Sequence, residues 1–148
     1  MFAAFTRHLQ LYVSRNRDED HWYEEGMLEA ASILGCFEED DWISLLSHMT
    51  SQSGQWKIYC CEIMGDYRGR DCFRLLQFLR QAVSASADHT LALACADALR
   101  NQMLAGLNMD EHQEAVSGIM LLLRAFHGRE LTTVLDDISR VAGVDLSC

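Results

Sequence analysis

The sequence predicts an all-α protein of antiparallel helical hairpins stacked side by side, and three observations carry that reading. The phrase Ala30-Ala31-Ser32-Ile33-Leu34-Gly35-Cys36-Phe37 returns thirty residues later as Cys60-Cys61-Glu62-Ile63-Met64-Gly65-Asp66-Tyr67, with a fainter copy in Cys95-Ala96-Asp97-Ala98-Leu99-Arg100. Between them, Asp41-Trp42-Ile43-Ser44-Leu45-Leu46-Ser47-His48-Met49 is answered by Asp71-Cys72-Phe73-Arg74-Leu75-Leu76-Gln77-Phe78-Leu79. A period between about 20 and 50 residues is the signature of stacked supersecondary units, here alternating large-residue and small-residue helices. Proline is absent from all 148 residues, so helices can run uninterrupted.

Taken in order, Phe2, Phe5, Leu9 and Tyr12 or Val13 recur at three- and four-residue spacing and predict a first helix that leaves Arg7 and Arg15 to water. Asp18, Glu19 and Asp20 open the second with side chains able to accept from its free N–H groups. Gly35 suits a left-handed stop. Glu38 to Asp41 repeats the acidic opening, and Trp42, Leu45, Leu46 and Met49 form the next apolar stripe. Residues 56–64 also alternate in a strand-like way, but their match to the Ala30 phrase assigns them to a helix. The helix over 70–83 is expected to bury Phe73, Leu76, Leu79 and Val83. Ser84, Ser86 and Asp88 offer caps for the next, whose Ala87, Leu91, Ala94 and Ala98 stripe invites close packing. Asp110 with Gln113 has capping-box spacing ahead of Val116, Ile119, Met120 and Leu123, and Gly128 and Gly143 close the last two helices. The expected pairs are 2–14 with 20–34, 39–50 with 55–65, 70–83 with 88–104, and 110–127 with 130–142.

Within this array, Glu29-Ala30-Ala31-Ser32-Ile33-Leu34-Gly35 resembles the second helix of a HEAT unit. The resemblance implies a short α-solenoid, a HEAT/armadillo-like superhelix of about four hairpins, although the proline that often bends the first helix of such units is missing and the units are short. A compact bundle without superhelical stacking is the alternative. With 49% hydrophobic residues and no Pro-rich or Gly/Ser-rich linker, residues 1–148 read as one domain. No apolar run approaches the roughly 20 residues needed to span a bilayer. The N-terminus places Phe2 and Phe5 before Arg7, the reverse of a secretory signal, so a cytoplasmic protein is expected.

Motifs for chemistry do not converge. The six cysteines contain no Cys-x-x-Cys pair, and for a cytoplasmic protein they read as small buried hydrophobes, with Cys148 exposed at the tip. There is no His-Glu-x-x-His helix, no pair of Glu-x-x-His sequences, no Gly-rich phosphate loop and no Gly-x-Ser-x-Gly elbow. His48, on an otherwise apolar helix, reads as a hydrogen-bonded core or rim histidine. A non-enzymatic protein without metal or cofactor is expected.

Charge placement is more informative. Ten acids, Asp18, Glu19, Asp20, Glu24, Glu25, Glu29, Glu38, Glu39, Asp40 and Asp41, fall in a stretch that contains no lysine or arginine. The other 12 acids balance the 12 basic residues, so the net charge of −10 resides in this segment. Capping a helix takes one or two carboxylates; Glu24, Glu25 and Glu29 lie past the first turn, and like charges so dense repel. Trp22 and Tyr23, interleaved with the acids, supply the aromatic anchors that an interface against an Arg/Lys-rich surface uses. Trp42 reads equally well as core. Nucleic acid is excluded as a direct ligand of this face on sign.

A small acidic helical protein of this kind resembles the immunity proteins that bacteria encode beside contact-dependent nuclease toxins. That resemblance implies a basic nuclease domain as partner, bound as a monomer or 1:1 heterodimer through the Asp18–Asp41 face. The alternative function is a helical-repeat adaptor or assembly factor that holds a partner protein or peptide in a concave groove.

Overall fold

A computed structural model of the chain describes residues 1–15, 21–84 and 87–143. Among these residues there are eight α-helices and no strand: α1 (Phe2–Arg15), α2 (Met27–Leu34), α3 (Glu39–Met49), α4 (Gly54–Asp66), α5 (Cys72–Ser84), α6 (His89–Leu104), α7 (Met109–Leu123) and α8 (Arg129–Ala142). A π-helical turn, Trp22–Gly26, leads directly into α2. Residues 56–64 are helical, as the internal repeat requires. The acids Asp18, Glu19 and Asp20, together with Ser86 and Cys148, lie outside the described residues.

Local chemistry explains most boundaries. Ser53 Oγ accepts from the Trp56 N–H at 3.2 Å to open α4, and Asp88 Oδ1 accepts from the Leu91 N–H at 2.8 Å to open α6. At the start of α7 the cap is Asn108, whose Oδ1 accepts from the Asp110 N–H at 3.0 Å; the Asp110 assignment from sequence is two residues late. Gly143 ends α8 in the left-handed region at φ 67°. Gly35 does not: it stays right-handed at φ −62°. The end of α2 instead tightens, with Cys36 N–H donating to Ile33 O and Phe37 N–H to Leu34 O, so no left-handed residue is needed.

The helices pack in two rows. In one, α2 lies against α4, α4 against α6, and α6 against α8; in the other, α1 lies against α3, α3 against α5, and α5 against α7. The repeat phrases map onto these rows. Ala30, Cys60 and Cys95 occupy the same buried position, and so do Leu34, Met64 and Leu99. Gly65 lets α4 run close against α6, since a Cβ there would stand 3.4 Å from the Ala98 Cα. Gln102, buried on α6, donates from Nε2 to Met64 O at 2.6 Å and Tyr67 O at 2.7 Å, satisfying carbonyls at the end of α4.

Two expected burials fail. Phe73 is 64% exposed, while Leu75 and Phe78 fill the α5 core positions. Its counterpart in the second repeat phrase, Ile43, is also exposed, at 46%, so both copies turn this position outward. Cys36 is exposed because it falls in the tightened turn after α2, leaving Phe37 to return to the core; Cys60, Cys61 and Cys95 are buried and Cys72 partly so. His48 stands at the core's rim, with its ring edge-on to Phe2 and Trp56 at 5.5 and 5.6 Å.

Candidate functional site

The acidic segment divides into two parts that the fold treats differently. In the second part, at the start of α3, Asp41 Oδ2 accepts from the Glu38 N–H at 2.9 Å and Oδ1 from the Phe2 N–H at 3.0 Å, with the N-terminal ammonium 3.4 Å away. These two backbone donors, and then the ammonium, hold the Asp41 carboxyl below the usual range. Glu39 pairs with Arg74 of α5 at 2.7 Å. Trp42 is buried, and its Nε1–H donates to Asp71 Oδ2 at 3.3 Å. Glu38 and Asp40 are exposed.

In the first part, Trp22 is only 1% exposed, packed against Tyr12 and Tyr59 with ring centroids 4.9 and 4.5 Å apart. Its Nε1–H donates to Glu62 Oε2 of α4 at 2.6 Å. Trp22 is therefore a core residue, and the role of exposed anchor that the sequence suggested for it falls away, because its large apolar ring has a closed aromatic cluster to fill. Tyr23 remains 52% exposed, and its hydroxyl donates to Glu62 Oε1 at 3.0 Å. Glu24, Glu25 and Glu29 are exposed. Glu25 lies 3.8 Å from His21 Nδ1, and Glu29 lies 3.7 Å from Nδ1 of His8. His8 Nε2 is 2.8 Å from the Gly26 carbonyl, which can only accept, so this nitrogen carries the proton and ties α1 to the π-helical turn.

Beside this turn, α2, α4 and α6 enclose a cleft of about 340 Å³. Met27, Ile58, Leu93 and Ala94 give it an apolar lining, Glu62, Asp66 and Asp97 bring carboxylates to it, and among the described residues no lysine, arginine or histidine lines it. Tyr23 forms part of its wall and joins it to the exposed acids of the π-helical turn. Burial raises the carboxyl of Asp97 above the usual range; Arg100, which donates to it at 2.9 Å, opposes that shift, and Glu130 adds to it. Arg100 also reaches Asp137 of α8 at 3.4 Å, so its charge is shared across two carboxylates. Asp66 stands at the C-terminal end of α4, where the helix dipole disfavours an anion, and forms no ion pair among the described residues. Under the cleft, Cys61 and Cys95 bring their sulfurs to 3.4 Å. That mutual hydrogen bond and burial push the Cys61 thiol well above its usual range, and burial does the same to Cys60, so neither is a ready nucleophile.

Sequence reasoning missed the carboxylates of the cleft, although a signal for them exists. Ser32, Glu62 and Asp97 are the third residue of the repeated phrase, the one polar position in it that changes from hydroxyl to carboxylate as the copies proceed. Among the described residues, no group of three or more His, Cys, Asp or Glu is arranged to hold a metal ion, and no helix is long and apolar enough to cross a membrane. Comparison with protein-family models, curated proteins and solved structures finds no match to this chain.

Proposed function

We propose that this chain is a binding protein for a basic protein partner, of the immunity type, which neutralises a nuclease toxin domain by covering its cationic substrate groove. The observation that carries the reading is the cleft, where three carboxylates stand over an apolar lining with no basic side chain among the described residues and Tyr23 links them to the exposed Glu24 and Glu25. Carboxylates spaced along such a surface can stand in for the phosphates of a nucleic acid, and an excess of ten negative charges steers a cationic partner towards the molecule before contact. The partner-binding set thus shifts from the whole Asp18–Asp41 stretch to Tyr23, Glu24, Glu25 and Glu29 with Glu62, Asp66 and Asp97. In the same reading the two rows of helices form four hairpins of a short HEAT-like solenoid, and the cleft lies on the row of second helices. The packing of α2, α4, α6 and α8 in succession supports that arrangement.

The apolar lining of the cleft favours a second reading, an adaptor that holds a cationic amphipathic segment of its partner. One experiment separates the two. The chain is mixed with the product of the gene next to its own, and complex formation and nucleic-acid cleavage are followed at two salt concentrations. A 1:1 complex with a basic protein, faster association at low salt and loss of cleavage is the expected result. A neighbour that is acidic, or a nuclease that keeps full activity in the complex, overturns the inhibitor reading, and moderate binding to short cationic peptides alone assigns the chain to the adaptor class.

A further inference from the structure

The row of α1, α3, α5 and α7 holds a recess of about 240 Å³ between α5 and α7, lined by Phe73, Leu76, Gln77, Arg80 and Ala115. Phe73 is 64% exposed, a large apolar ring left at the surface of a fold that buries Trp22, Trp42 and Trp56. It is held there, because the Arg74 guanidinium lies 5.8 Å from the Phe73 ring centroid and is itself fixed by Glu39 at 2.7 Å. Leu76 and Ala115 add apolar surface beside the ring. A Cβ on Gly118 would stand 3.7 Å from Arg80 Nη1, so Arg80 reaches across to α7 just past Ala115. Arg80 is exposed and has no acceptor for its guanidinium among the described residues. The α5 helix contains no Asp or Glu, and Asp71, just before it, accepts from the Trp42 Nε1–H. The acids of α7, Asp110, Glu111 and Glu114, all precede Ala115 and stand towards the end of the groove away from Arg80. The groove is thus apolar, with an unpaired cation at one end and carboxylates towards the other.

We propose that this groove receives an amphipathic helix of an acidic protein partner, with one large apolar side chain packed beside Phe73 on Leu76 and Ala115 and a carboxylate meeting Arg80. The recess is smaller than the roughly 300–1,000 Å³ of small-molecule sites, so it suits a side chain carried on a helix rather than a free metabolite. Charge selects the partner at contact, since a basic residue placed at the Arg80 end would meet a like charge. The acids at the start of α7 repel a carboxylate at the other end, which fixes the direction of the docked helix. The net charge of −10 slows the approach of such a partner, so the apolar anchor at Phe73 supplies most of the affinity. The site is separate from the acidic cleft, which α2, α4 and α6 enclose, and takes a partner of the opposite charge.

The test is a titration of the full chain with a synthetic helical peptide that carries leucines at i, i+3, i+4 and i+7 and glutamates on its polar face, read by nuclear magnetic resonance at the backbone amides of α5 and α7. The same peptide with lysine in place of glutamate is the comparison. Saturable shifts over residues 73–80 and 111–118 with the glutamate peptide, and none there with the lysine peptide, are the expected result. Phe73→Ala should weaken binding at least about tenfold, as loss of an aromatic anchor does. Arg80→Glu should weaken the glutamate peptide severalfold and bring the lysine peptide into the groove. Both positions are exposed, so the variants are expected to fold as the parent does, which circular dichroism checks. Absence of saturable binding, equal shifts from the two peptides in the parent, or binding that survives both substitutions overturns the proposal. Sedimentation of the chain alone showing a dimer that Phe73→Ala dissolves also overturns it, since the groove would then belong to a second copy.

Discussion

The two halves of the acidic segment each set carboxylates beside a tryptophan and have opposite fates. At Glu38–Asp41 the fold consumes the charge: Asp41 gathers two backbone N–H groups and the terminal ammonium, Glu39 holds Arg74, and the whole run stands at the N-terminus of α3, where the helix dipole favours it. At Trp22–Glu29 the aromatic ring is consumed and the carboxylates are left outside. Trp22 closes into the core and anchors Glu62, while Glu24, Glu25 and Glu29 stay exposed. Each half also buries one tryptophan whose indole N–H reaches a carboxylate later in the chain, Glu62 of α4 for Trp22 and Asp71, just before α5, for Trp42. A run of acids therefore marks a binding face only where its partners inside the fold run out.

The largest expected effect comes from the glycine that shapes the first half. A Cβ on Gly26 would stand 2.5 Å from the Tyr12 Cζ and 2.8 Å from the Trp22 Cε3, both parts of buried rings that cannot step aside. Gly26→Ala should destabilise the protein by about 1–3 kcal/mol through overpacking, outweighing the roughly 1 kcal/mol gained in helix propensity. It should also displace Tyr23, Glu24 and Glu25 while leaving the start of α3 in place. Gly54→Ala is the comparison, because a Cβ there meets nothing within 4 Å and the substitution should be neutral or stabilise by up to about 1 kcal/mol. Urea unfolding of both variants checks this, and a Gly26→Ala protein as stable as the parent would mean the π-helical turn yields readily.

A smaller effect separates the halves by pH. Because Asp41 has its carboxyl held low by the Glu38 and Phe2 N–H groups, its contribution to stability is complete above the unfolded-state value near 3.8 and is lost as pH falls through its lower folded-state value. Asp41→Asn should be less stable than the parent at neutral pH, and the difference should shrink as acid protonates Asp41 in the parent. Denaturation midpoints at pH 7 and at successively lower pH measure it. A difference that stays constant with pH would mean the Asp41 charge carries none of the effect.

How far the sequence showed this division depends on the kind of interaction. The helices were legible because their signals are local: apolar spacing, the acidic start of α3, Asp88 as a cap, and a thirty-residue repeat that resolved residues 56–64. Trp22 was misplaced because nothing local distinguishes a tryptophan among acids at a surface from one whose ring lies in the core against Tyr12 and Tyr59, residues 10 and 37 positions away. Phe73 shows the opposite failure, since comparison with Ile43 in the aligned phrase carried the correct answer and the helical stripe overrode it. The cleft was invisible for a further reason. Met27, Glu62 and Asp97 come from three helices, and only the packing of α2 on α4 and of α4 on α6 brings them to one space.

The smallest changes in stability, and the most direct test of the comparison, come from neutralising the two halves separately. Glu24→Gln with Glu25→Gln should leave stability within about 0.5 kcal/mol of the parent, because both side chains are exposed and neither caps a helix. Glu38→Gln with Glu39→Gln should cost somewhat more, since it removes the Arg74 pair, of a class worth about 0.2–1 kcal/mol, and weakens the dipole interaction of α3. Association with a nonaarginine peptide should reverse that order. The Glu24/Glu25 variant should slow most, through loss of steering towards the cleft, and its difference from the parent should narrow as salt shortens the screening length to about 8 Å at physiological ionic strength. Binding should also strengthen as pH rises through the range just above the ordinary carboxylate value, because a cation beside Asp97 favours its ionised form and releases the proton that burial retains. Stopped-flow kinetics at two salt concentrations and two pH values measures all of this. Equal slowing by the two variants would mean that the halves act together as one diffuse field, and the distinction between a consumed and an available charge would fail.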